Sequence, residues 1–195
     1  MTKVLFIDNF DSFTYNLVDE FEKRSCEVLV YRNNTDMKLI DSIISKFKPN
    51  LIVVSPGPGT PAQAGNSIEI IKKYHPRIAI FGVCLGFQCI VEAMGGKVDR
   101  CIETVHGKPS KITHDEKTIF ANIENPFQAG RYHSLTATDV PYCLEISSRT
   151  AEKSIVMSVR HKESIVEGVQ FHPESILTPT GGNIIENMIK LANKK

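Results

Sequence analysis

A chain of 195 residues is long enough to bury one substantial core without disulfide or metal staples. Its 42% hydrophobic and 23% charged residues are ordinary globular values and argue against disorder. A formal net charge of +1, from 23 basic and 22 acidic side chains, leaves no electrostatic footprint for nucleic acid or an anionic membrane surface.

Val4 to Ile7 reads as a buried strand, and Asp8-Asn9-Phe10-Asp11-Ser12 supplies N-cap candidates for a helix with Phe13, Leu17 and Phe21 turned inward. Glu27 to Tyr31 is a second strand, Asn33 and Asn34 mark a turn, and the next helix places Leu39, Ile40, Ile43, Ile44 and Phe47 on one face. Leu51 to Val54 is a third strand, short and apolar, running into Ser55-Pro56-Gly57-Pro58-Gly59-Thr60-Pro61, whose prolines forbid helix. Ser67 to Tyr74 is the next helix, with Ile68, Ile71 and Tyr74 inward. Ile78 to Phe81 is the strand after it, and a further helix runs from Phe87 to about Gly95-Gly96. Strands alternating with helices imply a parallel sheet with right-handed crossovers.

Beyond Gly96 the pattern changes. Lys97 to Thr113 and Lys117 to Phe120 read as short strands, followed by Leu144 to Ser148, Ile155 to Val159 and Ile165 to Phe171. The last two alternate as half-buried strands do, so the second half is richer in antiparallel-type strands. A final helix from about Asn183 turns Ile184, Ile185, Met188, Ile189 and Ala192 inward, with Lys194-Lys195 complementing its dipole. The expected fold is α/β: residues 1–195 as a single domain, an open, mostly parallel sheet flanked by helices, and an additional antiparallel region in the second half. No charged-then-apolar leader precedes the first strand, and the longest apolar run is too short for a bilayer, so a cytoplasmic chain without a membrane segment is expected.

Chemistry enters at Gly82-Val83-Cys84-Leu85-Gly86, where the fourth strand meets its helix. Flanking glycines permit a sharp strand-to-helix turn, the cysteine counterpart of a nucleophile elbow, and the helix N-terminus favours a thiolate. A buried structural cysteine is the competing reading. The five cysteines, Cys26, Cys84, Cys89, Cys101 and Cys143, are odd in number and lack CxxC spacing, which points to reduced thiols and against a disulfide framework or a zinc site. A thiol nucleophile needs a base, and His172 in Gln170-Phe171-His172-Pro173-Glu174-Ser175 is the best candidate. In an extended segment Glu174 projects to the same side and can hold the imidazole in its productive tautomer; a surface turn is the plainer alternative. His133 and His106 could line a pocket, whereas His75, His114 and His161 are most simply solvated. The Ser55 to Pro61 loop lacks the ending of a phosphate-binding loop; an N–H aimed at an oxyanion is one reading of it and a simple βα turn the other.

The segments Asp8-Asn9-Phe10-Asp11-Ser12-Phe13-Thr14-Tyr15-Asn16, Ser55-Pro56-Gly57-Pro58-Gly59, Gly82-Val83-Cys84-Leu85-Gly86, Val105-His106-Gly107-Lys108, Arg131-Tyr132-His133-Ser134-Leu135 and Val169 to Ser175 together resemble the class I glutamine amidotransferases. The opening motif and Arg131 to Leu135 are similar to the branch that forms the small subunits of anthranilate and aminodeoxychorismate synthases. The resemblance implies that Cys84 attacks the carboxamide of glutamine, that His172 shuttles the proton, and that Glu174 orients His172. It also implies that the N–H groups of Leu85 and Gly57 hold the oxyanion, and that Gly59, Gln88, Ser134 and Leu135 hold the amino-acid end of the substrate. Gln88 as a helix cap and Ser134 as a turn residue remain open. The family usually has histidine where this chain has Phe87, a departure that bears on packing more than on chemistry. The resemblance further implies a hetero-oligomer with a chorismate-binding synthase subunit, docked through the loops at Asp8 to Phe13 and Val105 to Lys108. It implies no cofactor or metal in this chain; a metal ion and chorismate belong to the partner. A thiol hydrolase or peptidase, and a regulatory module with a dead site, are the competing functions.

Overall fold

The computed structural model describes residues 1–105 and 107–194. Along the first half run β1 (Lys3–Asp8), α1 (Thr14–Glu22), β2 (Glu27–Arg32), α2 (Met37–Phe47), β3 (Leu51–Val54), α3 (Ser67–Tyr74), β4 (Ala79–Val83) and α4 (Leu85–Ala93). The second half holds β5 (Lys97–Arg100), β6 (Lys108–His114), β7 (Phe127–Arg131), β8 (Leu135–Asp139), β9 (Leu144–Thr150), β10 (Val156–His161), β11 (Val166–Val169) and α5 (Gly181–Ala192).

Nine strands form one sheet in the order β2-β1-β3-β4-β11-β10-β9-β6-β7, and β5 pairs with β8 in a small separate ribbon. From β2 to β11 every pairing is parallel; from β11 to β7 every pairing is antiparallel. From β1 to β4 the parallel pairing follows from helical crossovers, which carry the chain back to start a strand in the same direction, whereas β11 joins β4 in parallel only after the chain has passed through α4 and the antiparallel strands. The side-chain alternation of the strands sorts the core into two layers. Val4, Phe6, Val53 and Phe81 pack with Leu17 and Phe21 of α1 and Met188 of α5 on one face, while Leu5, Ile7, Ile52 and Ile80 pack with Ile40, Ile71 and Ile90 of α2, α3 and α4 on the other. Each fully buried side chain of this size contributes about 1.5–3 kcal/mol, so the two layers dominate stability.

Several sequence expectations are corrected. Phe13 is 63% exposed because α1 begins after it, at Thr14, and Thr14 and Val18 join Leu17 and Phe21 inside. Leu39 is 49% exposed, on the edge of the α2 stripe. In α3 Ile71 and Tyr74 are buried as expected, Ile70 joins them, and Ile68 is half-buried against the same core layer. The helix after Cys84 starts two residues before Phe87, at Leu85. Lys117 to Phe120 is a tight helical turn at Thr118–Phe120, not a strand, and β7 and β8 carry no strong apolar run to announce them. β10 and β11 are buried along nearly their whole length, because they sit in the middle of the sheet with both faces covered. Their polar residues find partners inside: Ser158 with Ser147 and Ser148, each at 2.7 Å, and Arg160 with Glu167 at 3.0 Å. Lys195 lies outside the described residues.

Candidate active site

The parallel pairing of β4 with β11 builds the site. Val83 lies opposite Val169, and the Cys84 N–H donates to the Val169 carbonyl at 2.8 Å, so the chain beyond β11 runs beside Cys84. Cys84 itself leaves the strand with φ 53 and ψ −102, a conformation that costs a non-glycine residue energy and is found where a side chain must be aimed. The glycines make this turn fit. A Cβ on Gly82 would come 2.5 Å from the Gly86 carbonyl oxygen, and one on Gly86 would overlap the Val54 carbonyl. Leu85 opens α4, so its N–H has no partner one turn back in the helix.

Past β11 the chain makes a turn rather than continuing extended: the Ser175 N–H donates to the His172 carbonyl at 3.2 Å. His172 and Glu174 therefore meet across Pro173, with Nδ1 2.7 Å from Oε1. The turn is braced from two sides. The His172 N–H donates to Gly130 of β7 at 3.2 Å, and Thr178 Oγ1 donates to the His172 carbonyl at 2.7 Å. His172 Nε2 is buried without a hydrogen-bond partner, on a cavity wall shared with Cys84. Burial alone would weaken the imidazolium, but interactions with Cys84 and Glu174 outweigh it and hold His172 well above its ordinary value. The imidazole is thus a strong proton acceptor beside the thiol.

Cys84, His172 and Glu174 line a cavity of about 490 Å³ together with Gly57, Asp11 and the exposed side chains Phe13, Tyr132 and Ile176. Tyr132 stands edge-on to His172, ring centroids 5.1 Å apart. Burial raises the Asp11 carboxyl above the usual range, against the hydrogen bond from the Phe13 N–H. Gly57 lies against Asn9, a buried residue that the sequence offers only as a helix-cap candidate. The Asn9 N–H and Nδ2 donate to Ser55 Oγ and O at 2.9 and 2.7 Å, while Asn9 Oδ1 accepts from Asn33 Nδ2 and Ser67 Oγ. A Cβ on Gly57 would lie 2.6 Å from the Asn9 carbonyl oxygen, so only glycine lets this loop sit beside the cavity.

The remaining expected site residues are not all brought to that wall. Gly59 and Leu85 line a separate cavity of about 460 Å³ with Asn9, Asn33 and Gln63. Gln88 is buried one turn into α4, and its Nε2 donates to Gln170 Oε1 at 3.1 Å. Ser134 is exposed and Leu135 half-buried at the start of β8. His133 is a structural tie: its Nδ1 faces the Leu135 carbonyl at 2.8 Å, Arg131 Nε donates to its Nε2 at 3.0 Å, and burial pushes it down to about 4. His114 is packed rather than solvated, stacked on Phe120 at 4.8 Å, and His75 lies against His161 at 5.4 Å. His106 lies outside the described residues. A polar cavity of about 200 Å³ shares no residue with the Cys84 cavity, and its Glu103 is already paired with Arg131 and Lys153. Among the described residues no three His, Cys, Asp or Glu side chains are placed to hold a metal ion, and no helix is long and apolar enough to cross a membrane.

The profile of the family described as glutamine amidotransferase class-I matches residues 5–191. A Methanocaldococcus jannaschii protein named anthranilate synthase component 2 is 51% identical over 176 residues, covering 90% of this chain and 86% of the relative. A Bacillus subtilis protein named aminodeoxychorismate/anthranilate synthase component 2 is 45% identical over 194 residues, covering 98% of each. The solved structure of a glutamine amidotransferase from Thermotoga maritima superposes with a TM-score of 0.78 over 99% of both chains at 13% identity, a likeness of fold. The chain belongs to the class-I glutamine amidotransferase family.

Proposed function

We propose that this chain is the glutaminase subunit of a chorismate-aminating synthase, with Cys84 as nucleophile, His172 as base and Glu174 as its orienting carboxylate. The observation that carries the reading is the strained turn at Cys84, aimed into the cavity that the His172–Glu174 pair also lines. His172 takes the thiol proton as sulfur adds to the carboxamide carbon of L-glutamine. The oxyanion forms against the N–H groups of Leu85 and Gly57. His172 then returns the proton to the departing nitrogen, ammonia leaves, and a water deprotonated by His172 cleaves the thioester to glutamate. Gly59, Gln88, Ser134 and Leu135 are assigned to the α-amino and carboxylate groups of glutamine. Gly59 and Ser134 are each two residues from a group on the cavity wall, Gly57 and Tyr132, and Gln88 is one helical turn from Cys84.

Free ammonia in neutral water is mostly ammonium, which is no nucleophile, so the product is useful only to a partner that receives it under shelter. The exposed Phe13, Tyr132 and Ile176 around the cavity fit such a partner, since apolar side chains beside a mouth exclude water once covered. The names of the relatives favour anthranilate formation, and the double name of the Bacillus subtilis protein favours a second service to aminodeoxychorismate formation. Co-purification with each candidate synthase subunit, followed by glutamine- and ammonia-dependent product assays, tests the reading. Cys84→Ser is expected to abolish glutamine-dependent product and spare ammonia-dependent product. Full glutamine-dependent activity in that variant would overturn it.

A further inference from the structure

Gln170 is fully buried, and the register that sets Val169 beside Val83 places it beside Cys84. Its Nε2 lies 3.6 Å from Cys84 Sγ. Its Oε1 accepts from Gln88 Nε2 at 3.1 Å, and the Gln88 backbone N–H in turn donates to the Cys84 carbonyl at 3.1 Å. The three residues form a closed ring: Cys84 starts the helix, one turn of helix carries Gln88, Gln88 grips Gln170, and Gln170 reaches back to the sulfur. An amide is polar at both ends, and with its Oε1 turned to Gln88 the NH₂ end of Gln170 faces sulfur.

We propose that Gln170 is a positioning residue for the Cys84 sulfur, donating an N–H that favours the thiolate, and that Gln88 fixes which end of the Gln170 amide faces it. A donor to sulfur stabilises negative charge there, and in the neutral thiol it occupies a sulfur lone pair, leaving the S–H to turn toward His172. Burial strengthens the effect, since no water competes for the amide. The proposal rests on Cys84 as the nucleophile and extends that reading to how its sulfur is held.

The test is the rate of Cys84 alkylation by iodoacetamide against pH, on the full chain, with peptide mapping to separate Cys84 from the other four cysteines. Gln170→Met keeps the length and removes the donor; Cys84 alkylation near neutral pH is expected to fall about five- to tenfold, the effect of one hydrogen bond, with the profile moved to higher pH. Gln170→Glu, nearly isosteric, moves it further by placing a carboxylate beside sulfur. Gln88→Met, which leaves Gln170 in place but frees its amide to turn, falls between wild type and Gln170→Met and keeps the test open if Gln170 variants fold poorly. A wild-type profile in folded Gln170→Met or in Gln88→Met would overturn the proposal, because loss of packing alone does not shift a thiol titration in this order. A chain that never turns over glutamine, yet shows the ordered shifts, would support this proposal while overturning the functional reading.

Discussion

His172 Nδ1 lies 2.7 Å from Glu174 Oε1, across one turn whose corner is Pro173. The ring nitrogen nearer the backbone is thereby committed to the carboxylate, and Nε2 is left for the thiol. Glu174→Gln keeps the shape but offers an amide that can present its NH₂ to the imidazole and select the wrong tautomer. Glutaminase kcat in the assembled complex is expected to fall by about 10²–10⁴-fold with little change in KM. Steady-state kinetics check this, and an unchanged kcat would remove Glu174 from the machinery.

Gly86 meets the Val54 carbonyl where a side chain would have to stand, so Gly86→Ala must push α4 off β3. The expected cost is about 1–3 kcal/mol of stability, with loss of activity beyond what the stability change explains, since the push displaces the turn at Cys84. Urea unfolding together with glutaminase assay of the folded fraction separates the two. Gly95, with open space around its missing Cβ but φ at +90, is the control: its alanine variant strains backbone locally and should leave the site intact.

Phe87, where the resemblance leads one to expect histidine, is fully buried against Gly168 and the α4 side of the core. Restoring histidine with Phe87→His would bury a polar ring in a site shaped for a hydrocarbon one. The variant is expected to lose about 1–3 kcal/mol while retaining most of its kcat, as read by thermal unfolding and assay below the transition.

Glu167 is buried in β11, 3.0 Å from Arg160, and burial pushes it up to about 7 against that attraction. A carboxyl whose native value exceeds its unfolded one stabilises the fold fully below the unfolded value, and that contribution is lost as pH rises through the native value. The contribution should therefore disappear between about pH 4.5 and about pH 7. Glu167→Gln is expected to flatten the pH dependence of stability over that window, measured by urea midpoints at pH 5 and pH 8.

Ile176 is 94% exposed beside the cavity. Ile176→Glu places a charge where a partner would have to desolvate it, and co-purification with the synthase subunit should weaken by tenfold or more on the scale of about 1.4 kcal/mol per decade. Retention of full-strength complex would move the docking surface elsewhere.

Much of this molecule was legible in the sequence because its signals are local. The β1 and β3 runs, the glycine frame at Cys84 and the pairing of His172 with Glu174 each depend on neighbours within a few residues, and short-range sterics and hydrogen bonding decide them. The resemblance of six segments likewise pointed to the family without any coordinates. What only the tertiary structure decided are relations between distant segments. Nothing in the sequence sets Val169 opposite Val83, and that register is what brings His172 and Gln170 to Cys84. Asn9 looks like a helix cap until Ser55, Asn33 and Ser67 converge on it. Phe13 looks like core until burial shows it outside. Periodicity tells which residues are apolar; which of them the closed core has no room for is settled only by packing the elements together.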